Sequence, residues 1–168
     1  MAILYDIGEL IVYPLHGAGI IRDIAEKNIF GKMQKYYLME ILTEGMEILI
    51  PIDRADEIGI RRVVDRSTTK EVWQIMSEPI GKINQNWNKR YQENMEVLKT
   101  GNLLKATIVL KDLMWMDQQK GLSGGEKRML TAVKNVVCSE LLLVEKMDQK
   151  TILDKMQTLL FSDDEPTP

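Results

Sequence analysis

The spacing of apolar residues changes near Pro51, and no other feature constrains the fold of this chain as strongly. Before Pro51, short runs rich in Ile, Val, Leu and Tyr recur about every ten residues and are separated by turn residues, which is typical of β-strands. After Pro51, apolar residues recur at intervals of about three to four residues, which is typical of amphipathic helices. The sequence therefore predicts an α+β chain with the strands first and the helices second.

The first part predicts four strands, at residues 9–13, 17–25, 33–42 and 46–50. Tight turns join them, as indicated by Pro14 and Gly17 after the first run and by Gly45 before the last. Short strands at this spacing predict a small antiparallel barrel or a strongly bent sheet. A sheet of this size keeps an exposed edge, and an exposed edge is able to accept a strand from another protein.

The second part predicts about five helices, because several stretches combine an apolar stripe with a helix start or stop signal. Thr68 with Glu71, and Ser123 with Glu126, have the spacing of a capping box. Gly101 is well placed to end a helix, and Asp148 to begin the last one. The first four predicted helices cover residues 69–77, 86–100, 103–117 and 123–145.

These patterns divide the chain into four segments. We expect a strand domain at residues 1–58, a polar connector at 59–66, a helical domain at 67–161 and an acidic, proline-containing tail at 162–168. The tail composition is typical of disorder. No apolar segment approaches the roughly 20 residues of a membrane span, and the N-terminus lacks the basic region of a signal peptide. We therefore expect a cytoplasmic protein without a membrane partner.

The formal net charge of −3 argues weakly against nucleic acid, but the two parts of the chain differ in sign. Residues 1–56 hold five basic and nine acidic side chains, whereas residues 57–161 hold seventeen basic and thirteen acidic ones. We therefore expect a first part that meets protein and a mildly basic second part suited to nucleic acid.

No stretch of the sequence predicts catalysis, a metal or a cofactor. Residues 122–126 resemble the signature loop of ABC-type ATPases, but the phosphate-binding motif G-x-x-x-x-G-K-[ST] is missing. His16 lies in a predicted turn without a nucleophile near it in the sequence, and Cys138 lies in an apolar run that predicts a buried thiol. One histidine and one cysteine do not form a zinc site of the usual type. We expect a protein that is not an enzyme.

Trp87 is the most distinctive candidate binding residue, and its sequence context supports two interpretations. An indole followed by Lys89 and Arg90 is suited to wedging into a minor groove, with cations for the flanking phosphates. The other interpretation is structural, because four residues at helical spacing form an ordinary core stripe: Trp87, Tyr91, Met95 and Leu98. From this stretch alone the core interpretation is favoured.

Several short motifs occur together in a fixed order along the chain. They are GELIVYP at 8–14, HGA at 16–18, IP at 50–51, GIR at 59–61, NWNKRY at 86–91, and GLS followed by EKRML between 121 and 130. By these motifs the chain resembles the CarD/CdnL family of bacterial transcription regulators along nearly its full length. Each motif is weak alone, and their order makes the resemblance specific.

The resemblance implies a Tudor-like (SH3-like) barrel that binds the β subunit of RNA polymerase, a module shared with the transcription-repair coupling factor. It also implies a helical domain that contacts promoter DNA at the upstream edge of the transcription bubble. A tryptophan at the position of Trp87 would wedge into the minor groove and stabilise the open complex. The implied protein is a monomer that joins the nucleoid through polymerase. The DNA contacts implied beside Trp87 are Asn88, Lys89, Arg90, Lys120, Lys127 and Arg128.

The chain departs from the family pattern at two places. Leu49 stands where well-known members carry an arginine, so we expect polymerase contact to depend more on backbone pairing and on Lys27, with Glu47 beside them. Trp115 and Met116 stand where some members carry basic residues, so we expect weaker DNA affinity. The alternative function is a polymerase-bound adaptor that does not bind DNA and keeps Trp87 in its core.

Overall fold

The computed structural model describes residues 4–162 and shows the predicted α+β architecture. An antiparallel, open, barrel-like sheet comes first, with its strands in the order β4-β3-β2-β1-β5. A 3-10 turn (Ile52–Arg54) and a short helix α1 (Ala55–Ile58) connect β4 to β5. The strands are β1 (Leu10–Tyr13), β2 (Gly17–Ile29), β3 (Lys32–Ile41), β4 (Met46–Pro51) and β5 (Arg61–Arg62).

The sheet bends around its own apolar core. Alternation along the strands directs one side chain in two inward, and the largest fully buried ones are Ile11, Ile21, Tyr37, Met39, Ile41 and Ile50. A β-bulge between Ile21 and Asp23 bends β2. Gly19 permits the bend as well, because a Cβ atom there would lie 2.1 Å from the carbonyl oxygen of Glu40.

Five helices follow and pack around a second core. They are α2 (Arg66–Ser77), α3 (Trp87–Lys99), α4 (Leu103–Gln119), α5 (Gly124–Glu145) and α6 (Gln149–Phe161). Their fully buried side chains include Val72, Met76, Leu110, Leu113, Val137, Leu141, Ile152 and Met156. We call residues 4–62 the sheet module and residues 66–162 the helical module.

Helix starts follow the predicted caps with one exception. Ser123 and Asp148 each accept a hydrogen bond from a backbone amide three residues later, as predicted. The prediction of Thr68 as a cap is wrong, since α2 begins earlier at Arg66 and is capped by Asp65. The Asp65 carboxylate accepts hydrogen bonds from the Ser67 hydroxyl and from the Thr68 amide. These hydrogen bonds, and the one from Ser67 most of all, lower the pKa of Asp65.

Two further differences concern the sheet. The second strand extends to Ile29 rather than 25, and the segment expected to be a connector supplies β5, whose Arg61 and Arg62 pair with β1. The β5 strand has no detectable pattern because it contains only two residues. The expected acidic tail, apart from Ser162, lies outside the described residues.

The two modules are joined mainly through α5. The hydroxyl of Ser139 accepts a hydrogen bond from the backbone amide of Ala18 at 2.8 Å. The guanidinium of Arg61 forms a bidentate pair with Glu140, at 2.7 and 2.8 Å, and also donates to the carbonyl of Gly101. Helix α5 therefore contributes both to the helical core and to the junction with the sheet.

Candidate nucleic-acid interface

Trp87 is the first residue of α3 and lies at the surface. The side chain of Asn86 caps the helix by accepting the amide of Lys89 at 3.1 Å. Side chains in a first turn lean back over the start of the helix, so the indole extends beyond the helical core. Trp87 is 44% exposed, whereas Leu98 is buried in the core and Tyr91 is half-buried against it. The apolar stripe of α3 therefore exists, but Trp87 is not a buried member of it.

The indole is exposed but anchored. Its Nε1 donates to the hydroxyl of Ser123 at 2.8 Å, and its ring stacks on Tyr91 with centroids 5.9 Å apart and an interplanar angle of 25°. Gly125 packs beside both rings, since a Cβ atom there would lie 3.7 Å from Trp87 and 3.8 Å from Tyr91. An anchored side chain loses little conformational freedom when it binds, which favours affinity.

Arg90 fastens the start of α3 to the start of α5. Its guanidinium forms a bidentate pair with Glu126 at 2.8 and 2.7 Å and donates to the carbonyl of Asn84. Both side chains are shielded, with 11% of Arg90 and 2% of Glu126 exposed. The hydrogen bonds that Arg90 donates to the Glu126 carboxylate raise the pKa of Arg90. The guanidinium of Arg90 is thus already engaged by Glu126 and Asn84, and its contact with a phosphate stays a prediction.

The other cations expected at this site remain exposed. Lys89 lies in the first turn of α3, Lys120 at the end of α4, and Lys127 and Arg128 in the first two turns of α5. Within residues 4–162, none of these side chains forms an ion pair. The amides at the start of α5 add positive potential beside them.

The structure brings the start of α3 and the start of α5 together around Trp87, and Asn88 is exposed beside it. The sequence assigned Ser123 and Glu126 only to a capping box. Ser123 does accept the amide of Glu126, at 3.3 Å, but the Glu126 side chain turns to Arg90 instead of back to the cap. The sequence alone does not predict that Ser123 and Gly125 support the indole, or that Arg90 pairs with Glu126. In each case the partners are more than thirty residues apart.

The sheet module presents a separate surface along its edge strand β4. Leu49 points outward and is 40% exposed, so it does not belong to the core of the sheet. Lys27 and Glu47 are exposed on the same face. A shallow depression on this face is lined by Asp23, Ala25, Lys27, Leu38, Glu47 and Leu49. The structure thus groups the three residues that were expected to meet polymerase.

The remaining reactive groups have structural surroundings. Cys138 is fully buried as expected, and burial raises the pKa of its thiol to about 12. His16 lies in the turn between β1 and β2, with its ring edge-on to Tyr13 at 4.7 Å. Among residues 4–162 no cluster of three or more His, Cys, Asp or Glu is arranged to hold a metal, and none of the described helices could cross a membrane.

Comparison with known proteins identifies both modules. A family model described as "CarD-like/TRCF RID domain" matches residues 5–64, and one described as "CarD, C-terminal domain" matches residues 71–157. A protein of Bacillus subtilis (strain 168) named "Putative transcription factor YdeB" is 34% identical over 149 residues, which cover 89% of this chain and 97% of that protein. The chain therefore belongs to the CarD-like family of transcription factors.

Proposed function

We propose that this protein binds the β subunit of RNA polymerase through its sheet module and stabilises the promoter open complex by wedging Trp87 into the minor groove at the upstream edge of the bubble. The observation that carries the proposal is the state of Trp87, an indole that is fixed by its neighbours and still 44% exposed. Exposed cations lie near it along the chain, with Lys89 on the same helix and Lys127 and Arg128 shortly after Ser123. The family membership, with a domain model that also covers the transcription-repair coupling factor, supports the polymerase part.

The wedge acts by compensating the cost of an unstacked base step. Separating two stacked bases costs a few kcal/mol, and an inserted apolar ring replaces part of the lost contact. Ser123 and Tyr91 contact the indole, and the Arg90–Glu126 pair holds the helix start that carries it, so insertion requires little further ordering. The protein therefore favours the melted promoter over the closed one.

The small number of phosphate contacts makes polymerase necessary for recruitment. Lys89, Lys120, Lys127 and Arg128 give about four phosphate contacts, for which the logarithm of the affinity falls with the logarithm of salt concentration at a slope of about 3 to 4. Such binding is weak and has little base preference. Attachment to polymerase raises the local concentration of the protein at the promoter, so weak DNA contacts suffice.

The decisive experiment replaces Trp87 with alanine in a promoter assay with RNA polymerase. We expect Trp87→Ala to shorten the open-complex lifetime by about tenfold or more, and to abolish protection at the upstream bubble edge, because the unstacked step loses its partner. The melting temperature should change little, because the indole is an exposed side chain.

The matched control is Trp73→Ala on α2. Trp73 packs against the helical core, its Nε1 donates to Glu145 at 3.1 Å, and Lys155 lies 4.1 Å above its ring. We expect this change to lower the stability by up to about 3 kcal/mol. If Trp87→Ala destabilises the fold as much as Trp73→Ala, or leaves the open-complex lifetime unchanged, the wedge is wrong.

The polymerase contact has its own test. Because Leu49 points outward on β4, Leu49→Glu should leave the fold intact and weaken binding to polymerase β by placing a charge at the contact. Circular dichroism checks the fold and surface-immobilised polymerase the affinity. Unchanged affinity with an intact fold would remove Leu49 from the interface.

A further inference from the structure

The hairpin formed by β2 and β3 extends past the rest of the sheet. Strand β4 pairs with β3 only as far as the partners Tyr36 and Pro51. Pairing between β2 and β3 continues much further, to Ile29 and Lys32. The outer half of the hairpin, residues 26–35, therefore has a strand partner only within itself, and we call it the hairpin arm.

A phenylalanine occupies the tip of this arm in an unusual state. Phe30 is 103% exposed, and its backbone has φ 55°. Gly31 follows with φ 76°, so both central residues of the two-residue turn have positive φ, a geometry that asparagine and glycine adopt easily and phenylalanine does not. Ile29 and Met33 beside it are also exposed, at 39% and 61%. Phe30 does not stabilise the fold, because it is not buried and its backbone conformation is unfavourable, and an exposed phenyl ring is poorly hydrated. Its presence at the tip therefore points to a role in binding.

The tip is continuous with the surface proposed to meet polymerase. Directly paired residues share a face of the sheet, and Asp23, Leu38 and Leu49 form one such row. Alternate residues of β2 stay on that face, so it continues from Asp23 through Lys27 to Ile29. These positions span about 20 Å at roughly 3.3 Å per residue. One flat partner surface could thus contact both Leu49 and the tip.

The charge of the arm indicates the chemistry of the partner. The arm carries Lys27, Lys32 and Lys35, against the single carboxylate of Glu26, although the sheet module as a whole is acidic. Among residues 4–162, Lys35 is the one lysine of the arm that forms an ion pair, with Glu26, and at 4.0 Å that contact is weak. An apolar tip on an arm that carries three lysines is complementary to an apolar recess with carboxylates at its rim.

We propose that the hairpin arm is a second anchor on the polymerase β subunit, with Phe30 inserted into an apolar recess that has an acidic rim. The inference rests on the proposed function, since it assigns a further contact to the same partner. Backbone pairing at β4 sets the position of the protein, and Phe30 supplies buried apolar area, as interface anchors generally do. This contact compensates for the small contribution expected from Leu49.

The test is Phe30→Asn, measured as the dissociation constant of the full chain for RNA polymerase without DNA. Asparagine accepts positive φ, so the melting temperature should stay the same or rise. Affinity should nevertheless fall about tenfold or more, as expected for loss of an anchor residue. The matched control is Ile108→Gln, which removes another exposed apolar side chain, 47% exposed and on α4, and should leave the affinity unchanged.

Parallel measurement of Leu49→Glu separates this inference from the proposed function. If Leu49→Glu weakens binding and Phe30→Asn does not, the second anchor is refuted and the polymerase interface stands. If the unmodified chain fails to bind polymerase, both fall.

A photoreactive benzoylphenylalanine in place of Phe30 identifies the neighbour directly. We expect it to cross-link to polymerase β. A cross-link to a second copy of this chain or to promoter DNA would overturn the assignment.

Discussion

The two ends of α5 use the same kind of contact for different purposes. Near its start, Glu126 holds Arg90, and toward its end, Glu140 holds Arg61; both glutamates are 2% exposed and both pairs are bidentate. The first pair lies inside the helical module and supports Trp87. The second joins the helical module to the sheet module.

This comparison shows how one helix relates the two proposed binding surfaces. The two glutamates are separated by about 21 Å along α5 at about 1.5 Å per residue. A shielded ion pair often adds little stability relative to apolar residues, but it does restrict geometry. Helix α5 therefore fixes where Trp87 lies relative to the sheet that is proposed to bind polymerase.

The largest effect is expected from removing the carboxylate at the junction. Glu140→Ala leaves the Arg61 guanidinium without its partner and the amide of Val64 without its acceptor, which lies at 2.9 Å. We expect a loss of about 3 to 5 kcal/mol in the free energy of unfolding, measured with urea. Glu93→Ala, which removes an exposed carboxylate of α3, is the control and should change it little. A small loss for Glu140→Ala would show that the modules are held together by other contacts.

Replacing each whole pair by apolar residues sharpens the comparison. Arg90→Met with Glu126→Leu should cost only about 1 kcal/mol, because the Asn84 carbonyl is the one further group that loses a partner and it is only half-buried. The change should nevertheless shorten the open-complex lifetime, because the start of α3 is no longer held to α5. Arg61→Met with Glu140→Leu should cost about 2 kcal/mol more, since the Val64 amide and the Gly101 carbonyl lose their partners. Equal costs for the two double variants would mean that the ends of α5 do not differ in this way.

The sequence predicts those parts of the structure that depend on local signals. Caps such as Ser123 and Asp148 were found because a cap and its amide lie three residues apart. Thr68 was misjudged because Asp65, a stronger acceptor, stands just before it. Trp87 was found as a candidate, but its exposure could not be decided from helical spacing alone.

Contacts between distant segments were not predictable. The pairing of Arg90 with Glu126 spans 36 residues, and that of Arg61 with Glu140 spans 79, so neither leaves a pattern in one sequence. The sequence places Phe30 in the turn between the predicted strands 17–25 and 33–42, but a turn position does not show whether an apolar side chain is covered by another part of the protein. The hairpin arm is defined by the pairing of β2 with β3 beyond the end of β4, and this pairing follows from the structure and not from the sequence.

Two serines allow a finer comparison of the ends of α5. Ser139→Ala leaves the buried amide of Ala18 without an acceptor and should cost about 1 to 3 kcal/mol. Ser123→Ala removes a helix cap, which costs about 1 kcal/mol, and also frees the indole of Trp87. Only Ser123→Ala should shorten the open-complex lifetime at a temperature where both variants are folded. If Ser139→Ala shortens the open-complex lifetime equally, the contact between the modules and the support of Trp87 do not have separate effects.

The smallest effect concerns a shielded carboxylate that has no arginine. Burial raises the pKa of Asp112 on α4 to about 6, and nearby Lys111 offsets this only in part. The folded state thus keeps a proton that the unfolded chain releases near its ordinary value of 3.8, so this group makes stability fall as pH rises from about 4 to about 6. Asp112→Asn removes this loss of stability, because asparagine does not ionise. Replacing Glu126 or Glu140 instead leaves an arginine without its carboxylate. We expect the variant to gain about 1 kcal/mol at about pH 8 and less at about pH 5, measured by urea unfolding. A gain that is the same at both pH values would show that Asp112 is ionised in the folded protein across this range.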